Sequence, residues 1–447
     1  MKVILLSGGS GKRLWPLSNE TRSKQFLKLL PYADGYESMV QRVVRQLQEA
    51  GVTQDDILIA TSEQQVGILT NQLGSEIHIA TEPERRDTFP AISLAVEYLL
   101  KNCNCSGDES VVVMPCDVFT DSSYFRTLSE MAKSVESGAS DIILMGIKPT
   151  APSSNYGYIL PRSKSDFAVA KFVEKPSESA AKKLIEAGAY WNGGVFAFRL
   201  GFLDNIVQKY TDANSFETFR ANYALLPKIS FDYEVVEKAE SITMIPFDGE
   251  WSDIGTWDML SKKLQHKQIG NVVEAGPCEN LFAINELDIP LLCVGVKDAT
   301  IAASPDGILV SMGDSSSLIK DEAVKLSKRP LYEERRWGYY KVLNQIGFPD
   351  GHLVLTKELL IKANKNISYQ KHLHRDEVWT FLDGEGILVI DGVAKRVKRG
   401  DTVHIKSGTL HAVKAIADLS MIEVQSGDLL SEDDILRFEY DWDNLNV

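Results

Sequence analysis

The chain has 447 residues, 44% hydrophobic and 25% charged, an ordinary globular balance that excludes wholesale disorder and leaves room for two or three domains. With 48 Lys and Arg against 62 Asp and Glu, the net charge of −14 excludes broad electrostatic binding to nucleic acid or an anionic membrane, so any phosphate must be met locally by a few placed cations or a metal. Five cysteines (Cys103, Cys105, Cys116, Cys278, Cys293) are too few and too irregular for a disulfide framework, and Cys103-x-Cys105 without a second pair is a weak zinc signal. No secretory signal follows Met1 and no apolar run is long enough to span a bilayer, so a cytoplasmic protein is expected.

Lys2–Ser7 reads as a buried strand, apolar and stopped by Gly8-Gly9. Residues 37–50 carry apolar positions at helical spacing, and Ile57–Ala60 is strand-like again. Pro90–Leu100 is helical, with proline in the first turn where its missing N–H costs nothing. Val111–Met114 and Ile142–Gly146 are further buried strands. Strands alternating with helices over residues 1–265 predict an α/β class with a doubly wound, mainly parallel sheet, whose ligands bind at the carboxyl ends of strands. Residues 266–330 lose helical periodicity and give short strands broken at Ala275-Gly276-Pro277 and Ser304-Pro305-Asp306-Gly307, a small β-rich segment followed by a charged linker. Over 331–447 the pattern is strand–turn–strand, with turns at Asp383-Gly384, Asp391-Gly392 and Arg399-Gly400-Asp401, which predicts an all-β barrel.

The strongest local signal is Gly8-Gly9-Ser10-Gly11-Lys12-Arg13, directly after the first strand. Such a turn lets backbone N–H groups approach a polyphosphate, Lys12 and Arg13 add charge, and Lys24 lies a short loop away. The spacing is neither the dinucleotide fingerprint nor a P-loop. Asp117 follows the strand Val111–Met114 and suits a Mg²⁺ ligand, and Asp253, between Trp251 and Trp257, is a second carboxylate able to share that cation. In the last domain Gln370, His372 and His374 alternate at strand period two and are expected on one face. With Glu377 and His411 they make a donor set for a divalent first-row metal, one of Zn, Mn, Fe or Co.

Gly8–Leu14 followed by Trp15-Pro16-Leu17-Ser18 and Ser23-Lys24-Gln25-Phe26 resembles the mannose-1-phosphate guanylyltransferases, a branch of the sugar-phosphate nucleotidyltransferases. The resemblance runs through Glu82–Ile92, Tyr156–Ile159, Phe172–Pro176, Trp191–Phe196, Phe231–Glu234 and Trp251–Trp257, and no transferase motif lies beyond Trp257. It implies transfer of a nucleotidyl group from GTP to mannose 1-phosphate. Gly8, Gly9, Gly11, Lys12, Arg13 and Lys24 would hold the triphosphate, and Arg86, Asp87 and Thr88 would lie near the nucleotide. Lys175 would hold the sugar phosphate, with Gly157, Glu174, Asn192 and Asp232 at the sugar and Mg²⁺ on Asp117 and Asp253. The chain has Ser23 where the family usually has proline and Asp87 where it usually has asparagine, and the second leaves another base or sugar as an alternative. A regulatory sugar-binding protein is a second alternative. The C-terminal motifs resemble a cupin barrel, with Asn366 and Lys406 replacing the usual glycine and proline, like that of bifunctional mannose-6-phosphate isomerase/guanylyltransferases. The family's Tyr-Gly-Arg ending is absent here, where Tyr440-Asp441-Trp442 follows, so efficient isomerisation is not expected. A homo-oligomer is expected.

Overall fold

The protein is described by a computed structural model over residues 1–9, 12–163, 166–264, 266–312, 315–326 and 329–445. The chain divides into two compact units: residues 1–10, 23–66 and 75–264 form one, and 11–22, 67–74 and 265–447 the other.

In the first unit Val3, Ile4 and Leu5 are all fully buried. Successive strand residues point to opposite faces, so both faces of the sheet are covered, which is why such strands read as continuous apolar runs. Lys2–Leu6 lies between Ile57–Ser62 and Ser110–Pro115, parallel to both, and His78–Glu82 extends the parallel part. Tyr190–Arg199 runs antiparallel to Ser110–Pro115 and Ile142–Ile147, so the nine-stranded sheet is parallel from Ser110–Pro115 out to its His78–Glu82 edge and mixed on the other side. The helix Met39–Glu49 starts at a capping box, Ser38 with Gln41, and buries Val40, Val43, Val44 and Leu47. The helix Thr88–Lys101 is capped by Asp87, whose side chain accepts from Thr88 N–H, and packs Phe89, Ile92, Leu94, Ala95, Val96 and Leu99 into the main core. A short antiparallel pair, Val118–Thr120 with Trp251–Asp253, sets Asp253 opposite Val118, one residue after Asp117.

The second unit opens its C-terminal run with parallel rungs: Gln268–Gly270 pairs with Phe282–Asn285, that strand with Ala299–Ser304, and Val272–Ala275 with Leu291–Val294. The helix Ser316–Leu326 follows. The remainder is two antiparallel sheets of six and five strands. Trp379, Phe381 and Met421 from one sheet and Leu388 and Val413 from the other share a buried core. Segment 67–74 belongs to this unit through Asn71, whose Nδ2 donates to the carbonyls of Arg335 and Gly338 at 2.8 Å each. All five cysteines are free thiols, and among the described residues no helix is long and apolar enough to cross a membrane.

Candidate active site and metal centre

Gly8 and Gly9 leave the strand Lys2–Leu6 with φ of 152° at Gly9, and a side chain on either would meet nothing within 4 Å. Gly11 and the side chain of Lys12 lie outside the described residues, and Arg13 is exposed in the short helical turn Lys12–Leu14. Ser23 Oγ donates to the Gly9 carbonyl at 3.1 Å and accepts from Gln65 Nε2 at 2.7 Å, so the hydroxyl that replaces the expected proline ties the loop's return.

Lys24 follows directly, its ammonium 2.8 Å from Asp117 Oδ2 and 2.7 Å from Asp253 Oδ1. Burial alone would lower its pKa, but the two carboxylates outweigh burial and hold it above the ordinary lysine value. Two converging carboxylates neutralised by one ammonium fit a shared divalent ion, since the ammonium already marks a point within reach of both.

Gly157, Glu174, Lys175, Asn192 and Asp232 come together in a second cluster. The Asn192 backbone N–H donates to the Gly157 carbonyl at 2.8 Å, and its side-chain Nδ2 donates to Asp232 Oδ1 at 2.6 Å. Lys175 Nζ lies 2.6 Å from Glu174 Oε1, while Glu174 Oε2 is buried without a hydrogen-bond partner. A Cβ at Gly157 would collide with that oxygen, so only glycine leaves it open. Asp232 is pushed up to about 6, by burial first and then by Glu174, against the Asn192 bond. Glu174 raises the Lys175 pKa. An unpaired buried carboxylate oxygen beside an ammonium suits a polyol carrying an anion.

Tyr156, Trp191 and Trp251 form an aromatic group with ring centroids 4.8 to 6.3 Å apart. Each adjoins a polar motif in sequence, but the motifs themselves give the rings no role. Arg86, Asp87 and Thr88, expected near the nucleotide, hold local contacts. Arg86 donates to the Leu226 carbonyl at 3.0 Å and to Glu84 at 2.8 Å, and Thr88 Oγ1 accepts from Phe231 N–H at 2.8 Å. Asp87 takes φ of 74° and ψ of −176° at its helix N-cap, a strained backbone outside the left-handed helical region.

In the barrel His372, Glu377 and His411 are buried, with ligand atoms all within 4.8 Å of one another. Glu377 Oε1 is 3.2 Å from His372 Nε2, and Oε2 is 3.6 Å from His411 Nε2. Gln370 Nε2 lies 3.5 Å from His372 Nε2. His411 Nδ1 contacts the Thr409 carbonyl at 2.9 Å and His372 Nδ1 the Asp434 carbonyl at 3.4 Å, which leaves both Nε2 atoms facing inward. His411 Nε2 has no hydrogen-bond partner, an orphan that a metal would satisfy. Burial lowers the His372 pKa to about 4 against the pull of Glu377, so the ring is in its neutral, ligating form.

The expected common face fails at His374. The strand Tyr369–Lys371 ends before a bend at Leu373 and His374, and the next strand starts at Arg375, so His374 turns to solvent and stays outside the cluster. Arg375 goes inside instead, its Nε 3.0 Å from Glu377 Oε1 and its Nη2 3.3 Å from His372 Nε2. Lys357 and Glu423 are further buried charges that the motifs do not reveal, although they lie in phase with the buried Leu355, Leu359 and Met421 of their strands.

The nucleotidyl transferase family profile matches residues 2–268, and the mannose-6-phosphate isomerase C-terminal profile matches residues 322–440. The mannose-1-phosphate guanylyltransferase of Salmonella montevideo is 30% identical over 97% of this chain and 98% of its own length. The xanthan biosynthesis protein XanB of Xanthomonas campestris pv. campestris (strain B100) is 31% identical over 98% and 97%. A crystal structure named mannose-1-phosphate geranyltransferase, from Thermus thermophilus, superposes with a TM-score of 0.60 at 29% identity, covering 73% of this chain and 98% of that one. The chain belongs to the nucleotidyl transferases and, within them, to the mannose-1-phosphate guanylyltransferase family.

Proposed function

We propose that the protein makes GDP-mannose and pyrophosphate from GTP and mannose 1-phosphate. The observation that carries this reading is the convergence of Lys24 with Asp117 and Asp253. In the reaction a phosphate oxygen of mannose 1-phosphate forms a bond to the α-phosphorus of GTP as the bond to the β-phosphate oxygen breaks, and pyrophosphate leaves with that electron pair. The nucleophile is already anionic and needs no general base, so the protein's task is to hold two polyanions together. Asp117 and Asp253 would hold Mg²⁺, which when bound neutralises charge on the phosphates. Lys24, exchanged from the carboxylates, and Arg13 take the triphosphate. Lys175 meets the sugar phosphate, and Glu174 Oε2, Asn192 and Asp232 hold sugar hydroxyls where Gly157 lets the ring approach.

For the barrel the proposal is a divalent first-row metal on His372, Glu377 and His411, with Gln370 beside them; when bound, it would polarise oxygens of a sugar. His411's orphaned nitrogen supports that site. The test is pyrophosphate release over a panel of nucleoside triphosphates and sugar 1-phosphates. GTP with mannose 1-phosphate is expected to exceed every other pair in kcat/KM by about tenfold or more. A different best pair would replace the substrate assignment, and no release with any pair would overturn the activity. In the same preparation, loaded in turn with Zn²⁺, Mn²⁺, Fe²⁺ and Co²⁺, interconversion of mannose 6-phosphate and fructose 6-phosphate is expected well below an ordinary rate of about 10 per second.

A further inference from the structure

The segment Lys12–Arg22 runs into Ser23, whose Oγ ties to the Gly9 carbonyl, and is itself fixed by residues far downstream. Asn19 folds it on itself, its Oδ1 accepting from the N–H groups of Thr21 at 3.1 Å and Arg22 at 2.8 Å. Arg22, only 7% exposed, sets both terminal nitrogens on Glu286 at 2.8 and 2.9 Å, with its guanidinium 5.1 Å above the Tyr332 ring. Asn19 Nδ2 donates to Asp306 Oδ2 at 2.7 Å, and Ser304 Oγ donates to the Pro16 carbonyl at 2.7 Å. Gly307 approaches Trp15 so closely that a Cβ would come within 2.6 Å of the indole.

Glu286, Ser304 and Asp306 lie beyond the last transferase motif, in the parallel rungs and the turn that follows them. They have no chemistry to offer a triphosphate, yet they hold the segment that carries Arg13 and runs into Lys24. A bidentate Arg–carboxylate pair whose guanidinium is buried is strong in geometry, and removing the carboxylate leaves that guanidinium without its partner. A segment left loose would have to be ordered by the incoming nucleotide, and that entropy would be subtracted from its affinity.

We propose that the Arg22–Glu286 pair is a positioning device for nucleotidyl transfer, which fixes the segment Lys12–Arg22 and, through Ser23, holds Lys24 ready for the triphosphate before it binds. The inference rests on the transferase reading above. Neither residue is given a contact with substrate. Their effect passes through the chain from Arg22 to Lys24.

The test uses the full chain in steady-state kinetics with GTP and mannose 1-phosphate. Glu286→Gln and Arg22→Met each remove one charge, and the double variant Arg22→Glu with Glu286→Arg exchanges the pair. Each single variant is expected to raise the GTP KM about tenfold or more while the mannose 1-phosphate KM stays within about twofold, and the exchanged pair is expected to recover much of the loss. Thermal midpoint and bound metal in the barrel report folding in the same preparations. Folded single variants with a wild-type GTP KM overturn the proposal, as do equal rises in both KM values, which would mean general loosening. If Arg22→Met does not fold, Glu286→Gln and Glu286→Ala carry the same comparison. If the wild type prefers another nucleotide, that nucleotide replaces GTP in the assay. A wild type that uses none overturns the transferase reading and this proposal together.

Discussion

Asp232 faces two opposed demands. As part of the sugar cluster its carboxylate is useful as a charged acceptor, yet burial and the neighbouring Glu174 push its pKa from 3.8 up to about 6. A carboxyl raised by the fold is favoured in its neutral form, so its contribution to stability is full below the unfolded value near 4 and is lost as the pH rises through about 6. At neutral pH the ionised group is therefore a cost retained for function. Asp232→Asn removes the titration and keeps an oxygen that accepts from Asn192. The expected outcome at about pH 8 is a melting midpoint about 2–4 °C above wild type, and the difference should shrink as the pH falls and vanish below about pH 4. The KM for mannose 1-phosphate should rise about tenfold, because a charged acceptor has become a neutral one. Thermal melts at the two pH values and one substrate titration check this, and a variant less stable than wild type at pH 8 would refute the assignment of cost. The five residues of this cluster were legible because they sit in four sequence motifs, Glu174 and Lys175 sharing one. The direction of the Asp232 shift was not, since it depends on Glu174, 58 positions away, being folded against it.

At the scale of the element, the histidine strand shows what periodicity can and cannot carry. Alternation places Gln370 and His372 inward, and the pattern was legible that far. It assumes that the strand continues, and here it breaks: Asp434, from a segment about 60 residues later, accepts from the N–H groups of both Leu373 and His374, at 3.0 and 3.2 Å. That pair of bonds holds the bend, turns His374 outward and brings Arg375 in. No pattern within residues 366–384 contains Asp434, which is why the bend could not be read there. The consequence is testable because the two histidines now differ. His411→Ala should lose the barrel's divalent metal after dialysis, with affinity down by about 100-fold or more, whereas His374→Ala should keep wild-type stoichiometry. Elemental analysis and calorimetric titration with Zn²⁺ distinguish them. Equal loss in both variants would mean that His374 reaches the metal after all. Nucleotidyl transfer should be unchanged in either variant, since the cluster of Lys24, Asp117 and Asp253 shares no residue with the barrel.

Over the whole molecule, sequence motifs and folding units do not coincide. Every transferase motif ends by Trp257, which suggests a module complete at about residue 265. Yet segments 11–22 and 67–74 make their contacts with residues of the C-terminal run, through Arg22 with Glu286, Asn19 with Asp306, and Asn71 with Arg335 and Gly338. The motif order was legible because it is local. These pairings were not, because they join residues 264 to 287 positions apart and each uses one ordinary polar side chain. A chain ending at Leu264 strips all of them, leaving the Arg22 guanidinium and the Asn19 amide without their carboxylates. It should show pyrophosphate release at least about tenfold below the full chain at limiting GTP, if it folds at all, because an unpaired buried charge is among the costlier defects. A chain ending at Pro330 keeps Glu286, Ser304 and Asp306 and loses Tyr332 and the partners of Asn71. It should retain most of the transfer activity but melt at a lower temperature. Release measured at limiting and saturating GTP for both truncations, beside their melting curves, separates the two effects. Full activity in the shorter chain would show that the first unit orders its own phosphate loop, and equal loss in both would move the essential support from the parallel rungs to the barrel.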